Sequence, residues 1–137
     1  LNLYSHAEAT TAPIDFITLA TPYAGITQAA SGVQDAPVVI PSWMEIASSS
    51  AFINRVTTSR LSQSIRFHLF FGYKNPAPIR MGENSDGTVS LMSQLERRAQ
   101  EAASEVRGFN ETHTTILDSR EVQECIRHIA EDLPSAR

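Results

Sequence analysis

These 137 residues lack most of the features that would announce a chemistry at once. One cysteine, Cys125, excludes an intrachain disulfide. It falls in the apolar spacing Val122, Cys125, Ile126, Ile129, which suits a packing thiol. A reactive one would want a histidine beside it and partial exposure. No apolar run approaches the roughly 20 residues of a membrane span. Basic side chains do not cluster beyond Arg97 and Arg98, a pair that a solvated helix face explains. The net charge is -4 and the sequence pI about 5.5, the wrong sign for a nucleic-acid surface. No histidine pair has the spacing of a zinc site, so no metal is expected. No glycine cluster forms a phosphate-cradling loop, so neither a nucleotide nor any other cofactor is expected. The chain opens on Leu1 rather than methionine, so the missing targeting signal carries no weight and the compartment stays open.

What is present reads as a folded domain, 42% hydrophobic and 19% charged. Residues 1–12 read as a helix end and a loop. The run Ile14-Asp15-Phe16-Ile17-Thr18-Leu19-Ala20 is β-prone and suits a strand buried on both faces. Thr21-Pro22-Tyr23-Ala24-Gly25 ends it in a turn. From residue 26 to residue 64 the pattern is irregular. Two short helices are expected in its second half, with Trp43, Ile46 and Ala47 on one apolar face and Phe52, Ile53 and Val56 on the next. Trp43 and Phe52 are expected in the core. A second strand spans Ile65 to Gly72, a helix runs from about Thr88 to Ala103 with Thr88 or Ser85 as its cap, and a third strand covers Glu105 to Phe109. Val89, Met92, Leu95 and Ala99 define the inner face of that helix. A last helix starts at Ser119, its candidate N-cap, and Pro134 closes it. Strands alternating with helices imply an α/β fold with a parallel sheet and right-handed crossovers. Three strands make a thin sheet for that class, as if this were one side of a larger one.

Catalytic groups of open parallel sheets gather at the carboxyl ends of the strands. Three loops are expected there: Thr21 to Gly25, Gly82 to Gly87, and Asn110 to Thr115. Asp86 lies in the second and His113 in the third. An imidazole near neutral pH takes a proton from a hydroxyl and returns it to a leaving group, while a carboxylate on its other nitrogen fixes its tautomer. A carboxylate ahead of a histidine also matches the chain order Ser, Asp, His of the α/β-hydrolases. Asp86 otherwise serves only as a helix-leading aspartate, and Glu83 is the reserve acid. His68, inside a strand, reads as packed or half-buried, His128 as solvated, and His6 has no assignable place.

The loops carry a resemblance. Ser85-Asp86-Gly87-Thr88-Val89-Ser90-Leu91-Met92-Ser93 resembles the acid-bearing loop of lipase-like α/β-hydrolases. The lecithin:cholesterol acyltransferase-like group writes it G-D-G-T-V-P-L-x-S, so Ser90 stands where that group has proline. Thr112-His113-Thr114-Thr115-Ile116-Leu117 resembles the histidine loop of bacterial lipases and their relatives. Thr18-Leu19-Ala20-Thr21-Pro22-Tyr23-Ala24-Gly25 is similar to the L-x-T-P-x-x-G that ends the strand after the nucleophile helix. The resemblance implies the C-terminal part of a serine hydrolase, a lipase or esterase acting on ester or lipid substrates. Asp86 and His113 are then its catalytic acid and histidine, and Thr21, Pro22 and Tyr23 line its substrate pocket.

No G-x-S-x-G occurs, so the nucleophile elbow and half the oxyanion hole are missing. The resemblance puts that serine roughly ten to thirty residues before Leu1, and this piece alone is expected to be inactive. The whole chain is then a C-terminal fragment of one domain, with residues 26–64 as a cap-like excursion. Acyl transfer to an alcohol uses the same machinery, and a non-catalytic binding module of the same fold is the rival from another class. The first strand, stripped of a neighbour, offers an edge through which a homodimer is expected.

Overall fold

The structure is a computed structural model that describes residues 14–26, 41–48, 50–76 and 84–132. The expectations for residues 1–12, His6, Glu83 and Pro134, and for the first half of the excursion, lie outside the described residues, as does the Trp43 side chain. Three strands, β1 (Ile14–Leu19), β2 (Ile65–Gly72) and β3 (Glu105–Phe109), pair in parallel in the order β1-β2-β3. Each is rich in β-branched or aromatic residues that fill a pleated surface. Helices α1 (Pro41–Ile46) and α2 (Ala51–Thr58) lie between β1 and β2. Helices α3 (Leu91–Gln94) and α4 (Arg97–Ala102) follow β2, and α5 (Arg120–Glu131) follows β3 after a 3-10 turn at Thr115–Leu117. The fold is thus of the α/β class, a parallel sheet with flanking helices. No helix among the described residues is long and apolar enough to cross a membrane.

Alternation along the strands divides the core in two. On one face Phe70 and Phe109 pack with Ala20, Ile116 and Val122, and Cys125, Ile126 and Ile129 of α5 close over them. The 3.6-residue period of α5 puts these four residues on one stripe. Burying each large one contributes roughly 1.5–3 kcal/mol. On the other face Phe67 and Leu69 pack with Tyr23 and Ala99, flanked by Leu61, Phe71, Leu95 and Ala103.

Five expectations need correction. β1 is not buried on both faces, since its Ile14 and Phe16 side chains are exposed where no further strand or helix among the described residues covers them. The helix from Thr88 to Ala103 is two helices, broken at Leu95 and Glu96. Their caps are Ser90, which accepts from the Ser93 N–H, and Glu96, which accepts from the Ala99 N–H, rather than Thr88 or Ser85. Because Val89 precedes the first turn, the expected stripe is lost: Val89 is buried, but Met92 is 75% exposed. Phe52 is not core either. It is 42% exposed, while its neighbour Ile53 is buried, because α2 turns Ile53 inward.

His68 is buried, as a strand residue should be, but it is not apolar packing. Its Nε2 lies 2.9 Å from Asp15 Oδ1 and its Nδ1 3.0 Å from Glu105 Oε2. Arg66 donates to the other Asp15 oxygen at 2.7 Å.

Candidate functional site

The loops after β2 and β3 meet at the carboxyl end of the sheet. Asp86 is fully buried in the first of them. The turn it starts passes through Gly87, whose φ of 96° favours a residue without a Cβ. That turn points two backbone N–H groups, of Thr88 at 2.9 Å and Val89 at 2.7 Å, at Asp86 Oδ1. The other oxygen, Oδ2, lies 2.9 Å from His113 Nδ1. Burying a carboxylate is costly unless it is hydrogen-bonded, and here three donors surround it. The backbones are joined as well: His113 N–H donates to the Asp86 carbonyl at 3.0 Å.

His113 is held from below by its own loop. Thr112 N–H donates to Thr115 Oγ1 at 2.9 Å, and Thr115 N–H donates to Thr112 Oγ1 at 3.1 Å. The Thr115 hydroxyl also donates to Glu111 at 2.6 Å. Hydrogen bonds from Thr115 and Ser119 hold the Glu111 carboxyl below its usual range, outweighing partial burial, and the charge of Lys74 adds to them. Ile116, with no exposure, anchors the turn in the core. The His113 side chain remains 35% exposed, and its Nε2 has no hydrogen-bond partner among the described residues. A buried acid thus fixes one nitrogen, while the other is free to exchange a proton with a group brought to it.

Glycine governs the close approach. A Cβ on Gly72, the last residue of β2, would sit 2.7 Å from the Glu111 carbonyl oxygen and 3.3 Å from Asp86 Cβ. Only a residue without a side chain lets both loops close on the strand end.

Of the remaining candidates, two line a cavity on the sheet face. Tyr23 is buried and its hydroxyl donates to Thr18 Oγ1 at 2.8 Å. Thr21 and Tyr23 line a cavity of about 150 Å³ with Phe16, Val56, Leu61 and Phe67, whereas Pro22 does not line it. Ser93 ties this turn to the acid loop: its hydroxyl donates to the Gly25 carbonyl at 2.6 Å and accepts from Ala24 N–H at 3.2 Å. The structure thus joins Asp86 directly to His113 and places Thr21 and Tyr23 on the cavity. The described residues do not hold a group of three metal-ligating side chains.

Sequence reasoning missed Ser93, Gln94 and Glu111. The only signal for the first two was their place at the end of the acid-loop motif. No family model matches the chain, and neither the curated proteins nor the solved structures give a significant match.

Proposed function

We propose that the chain supplies the acid and the histidine of a serine hydrolase, within the C-terminal part of an α/β-hydrolase fold, and that the serine lies on a preceding segment. The observation that carries this reading is the 2.9 Å contact from fully buried Asp86 to His113 Nδ1, with Nε2 given no hydrogen-bond partner among the described residues. Their order and loops match the resemblance read from Ser85 to Ser93 and from Thr112 to Leu117.

In this reading, His113 Nε2 removes the proton from the serine hydroxyl as its oxygen attacks an ester carbonyl carbon. Asp86 holds the tautomer that leaves Nε2 unprotonated and stabilises the imidazolium that forms. The imidazolium then protonates the departing alkoxide, leaving an acyl-serine. Water, activated by the same nitrogen, releases the acid; an alcohol in its place gives acyl transfer. Thr21 and Tyr23 also line a cavity along the sheet face with Phe16 and Phe67, which in this reading takes an acyl chain. A non-catalytic binding module is the second reading, and it gains if the full-length chain lacks a G-x-S-x-G.

The test uses the full-length protein and a chromogenic ester. His113→Ala and Asp86→Asn are each expected to lower kcat by roughly a thousand- to ten-thousandfold, with the fold intact by circular dichroism. Activity retained in His113→Ala would sink the assignment. A full-length protein with no esterase activity favours the binding module.

A further inference from the structure

We propose that Gln94 is a positioning residue for the Asp86–His113 pair, an inference that rests on reading that pair as a hydrolase's acid and base. Gln94 is the last residue of α3 and is only 1% exposed. Its Oε1 accepts from Gly72 N–H at 3.0 Å, and its Nε2 donates to the Gly72 carbonyl at 3.2 Å and the Val89 carbonyl at 3.1 Å. Both amide donors and the acceptor are therefore used.

The place of these bonds matters. β1 pairs with β2 up to Leu19 opposite Phe70, and Ala20 N–H still donates to the Phe70 carbonyl at 2.9 Å. Two residues on, the N–H and carbonyl of Gly72 face the same side, where β1 has already turned away. The Gln94 amide takes that position, giving β2 the acceptor and the donor that two residues of a longer β1 would supply. Without it, two backbone groups of buried Gly72 would lose their partner.

The third bond connects this ladder position to the acid. The Val89 carbonyl that Gln94 holds also accepts from Asp86 N–H at 3.1 Å, and Val89 N–H donates to Asp86 Oδ1 at 2.7 Å. Rotating the Val89 peptides would turn the carboxylate away from His113. Gln94 thus sets the distance and angle between the strand end and the acid loop, and through Asp86 it sets the aim of the imidazole. Its own hydrogen bonds go to Gly72 and Val89, so it acts on His113 through the acid loop.

The test is a double-mutant cycle in the full-length protein, with Gln94→Met, Asp86→Asn and the pair. Gln94→Met keeps the length of the side chain and removes all three hydrogen bonds. It is expected to lower kcat roughly ten- to hundredfold while KM stays within about twofold, because a misaimed base costs the transition state and not the binding of substrate. In the Asp86→Asn background the same change is expected to alter kcat by less than about twofold, because the aim it supports is already lost. An equal loss in both backgrounds, or an unchanged kcat in the first, would overturn the proposal. Should Gln94→Met fail to fold, Gln94→Glu, which keeps the size and the acceptor for Gly72 N–H, enters the same cycle with the same expectation. A second readout does not depend on ester chemistry. The His113 Nδ1 proton, followed by NMR in histidine-labelled full-length protein, is expected to exchange slowly in the native chain and at least about tenfold faster in either Gln94 variant. Unchanged exchange would refute the positioning role. An inactive native protein with faster exchange in the variants would remove the hydrolase reading and leave Gln94 as the support of the pair.

Discussion

Gly72 joins the end of β2 to both functional loops by having no side chain. Alanine there would place a methyl group against the Glu111 carbonyl and the Asp86 Cβ, and the Glu111 contact involves backbone that has no rotamer to move. The loops would have to part. Gly72→Ala is expected to destabilise the fold by about 1–3 kcal/mol, the usual cost of overpacking, and to lower kcat in the full-length protein by more than the loss of folded molecules explains. Urea denaturation and active-site-normalised kinetics separate the two effects, and a variant with native kcat per folded molecule would argue against the contact. Asp86 and His113 were legible because a short motif surrounds each. Gln94 and Glu111 were not. A glutamine in a helical pattern reads as a solvated residue, and only the register of a distant strand turns it inward. Ser119 is a similar case. It stands at the N-cap of α5, as its type suggests, but its side chain makes no capping hydrogen bond and instead serves Glu111.

At the scale of elements, all three strands were legible because each is a compact β-prone run bounded by turn residues. The helix after the acid loop was not legible as two pieces. Its apolar spacing fits one continuous helix, and nothing in a periodicity argument detects a restart. The restart depends on Glu96, whose φ of -53° and ψ of 134° are not helical and whose carboxylate accepts from Ala99 N–H at 3.0 Å. The break lets α3 deliver Gln94 to the strand end while α4 delivers Ala99 to the Phe67 and Leu69 cluster. Glu96→Ala removes the acceptor and leaves the first turn of α4 uncapped. It is expected to cost about 1 kcal/mol, seen as a lower urea midpoint with an unchanged slope. Since the break itself serves Gln94, an added loss of kcat in the full-length protein is expected. A stability equal to the native chain's would mean that water replaces the cap without penalty.

Across the whole molecule, polar groups sit at both ends of the sheet, and only one end was foreseen. At the carboxyl end are Asp86 and His113. Toward the amino end, Asp15, Arg66, His68 and Glu105 link all three strands. Their partners lie as far as 53 residues apart, so only the parallel register brings them together. Both ring nitrogens of His68 face carboxylate oxygens, one on each flanking strand. Burial pushes the Asp15 carboxyl up, but hydrogen bonds from Arg66 and His68, together with their charges, outweigh it and hold the group below its usual range. The sign of the consequence follows. In the unfolded chain Asp15 takes up its proton near pH 3.9, whereas the folded chain does so only at lower pH. Over that interval the unfolded state binds more protons, so the contribution of Asp15 is complete above about pH 5 and disappears as the pH falls through the folded value. Asp15→Asn is expected to be less stable than the native chain at pH 7 by about 2 kcal/mol, under the figure for fully buried pairs because Arg66 and Glu105 keep contact with water. The low-lying Glu111 titrates in both proteins and cancels from the difference. The two urea midpoints should therefore run parallel from pH 7 to about 5 and converge as the pH falls below about 4. A gap that stayed constant down to pH 2 would show that the Asp15 carboxylate contributes through its shape and hydrogen bonds alone, and that its charge does not bind the three strands together.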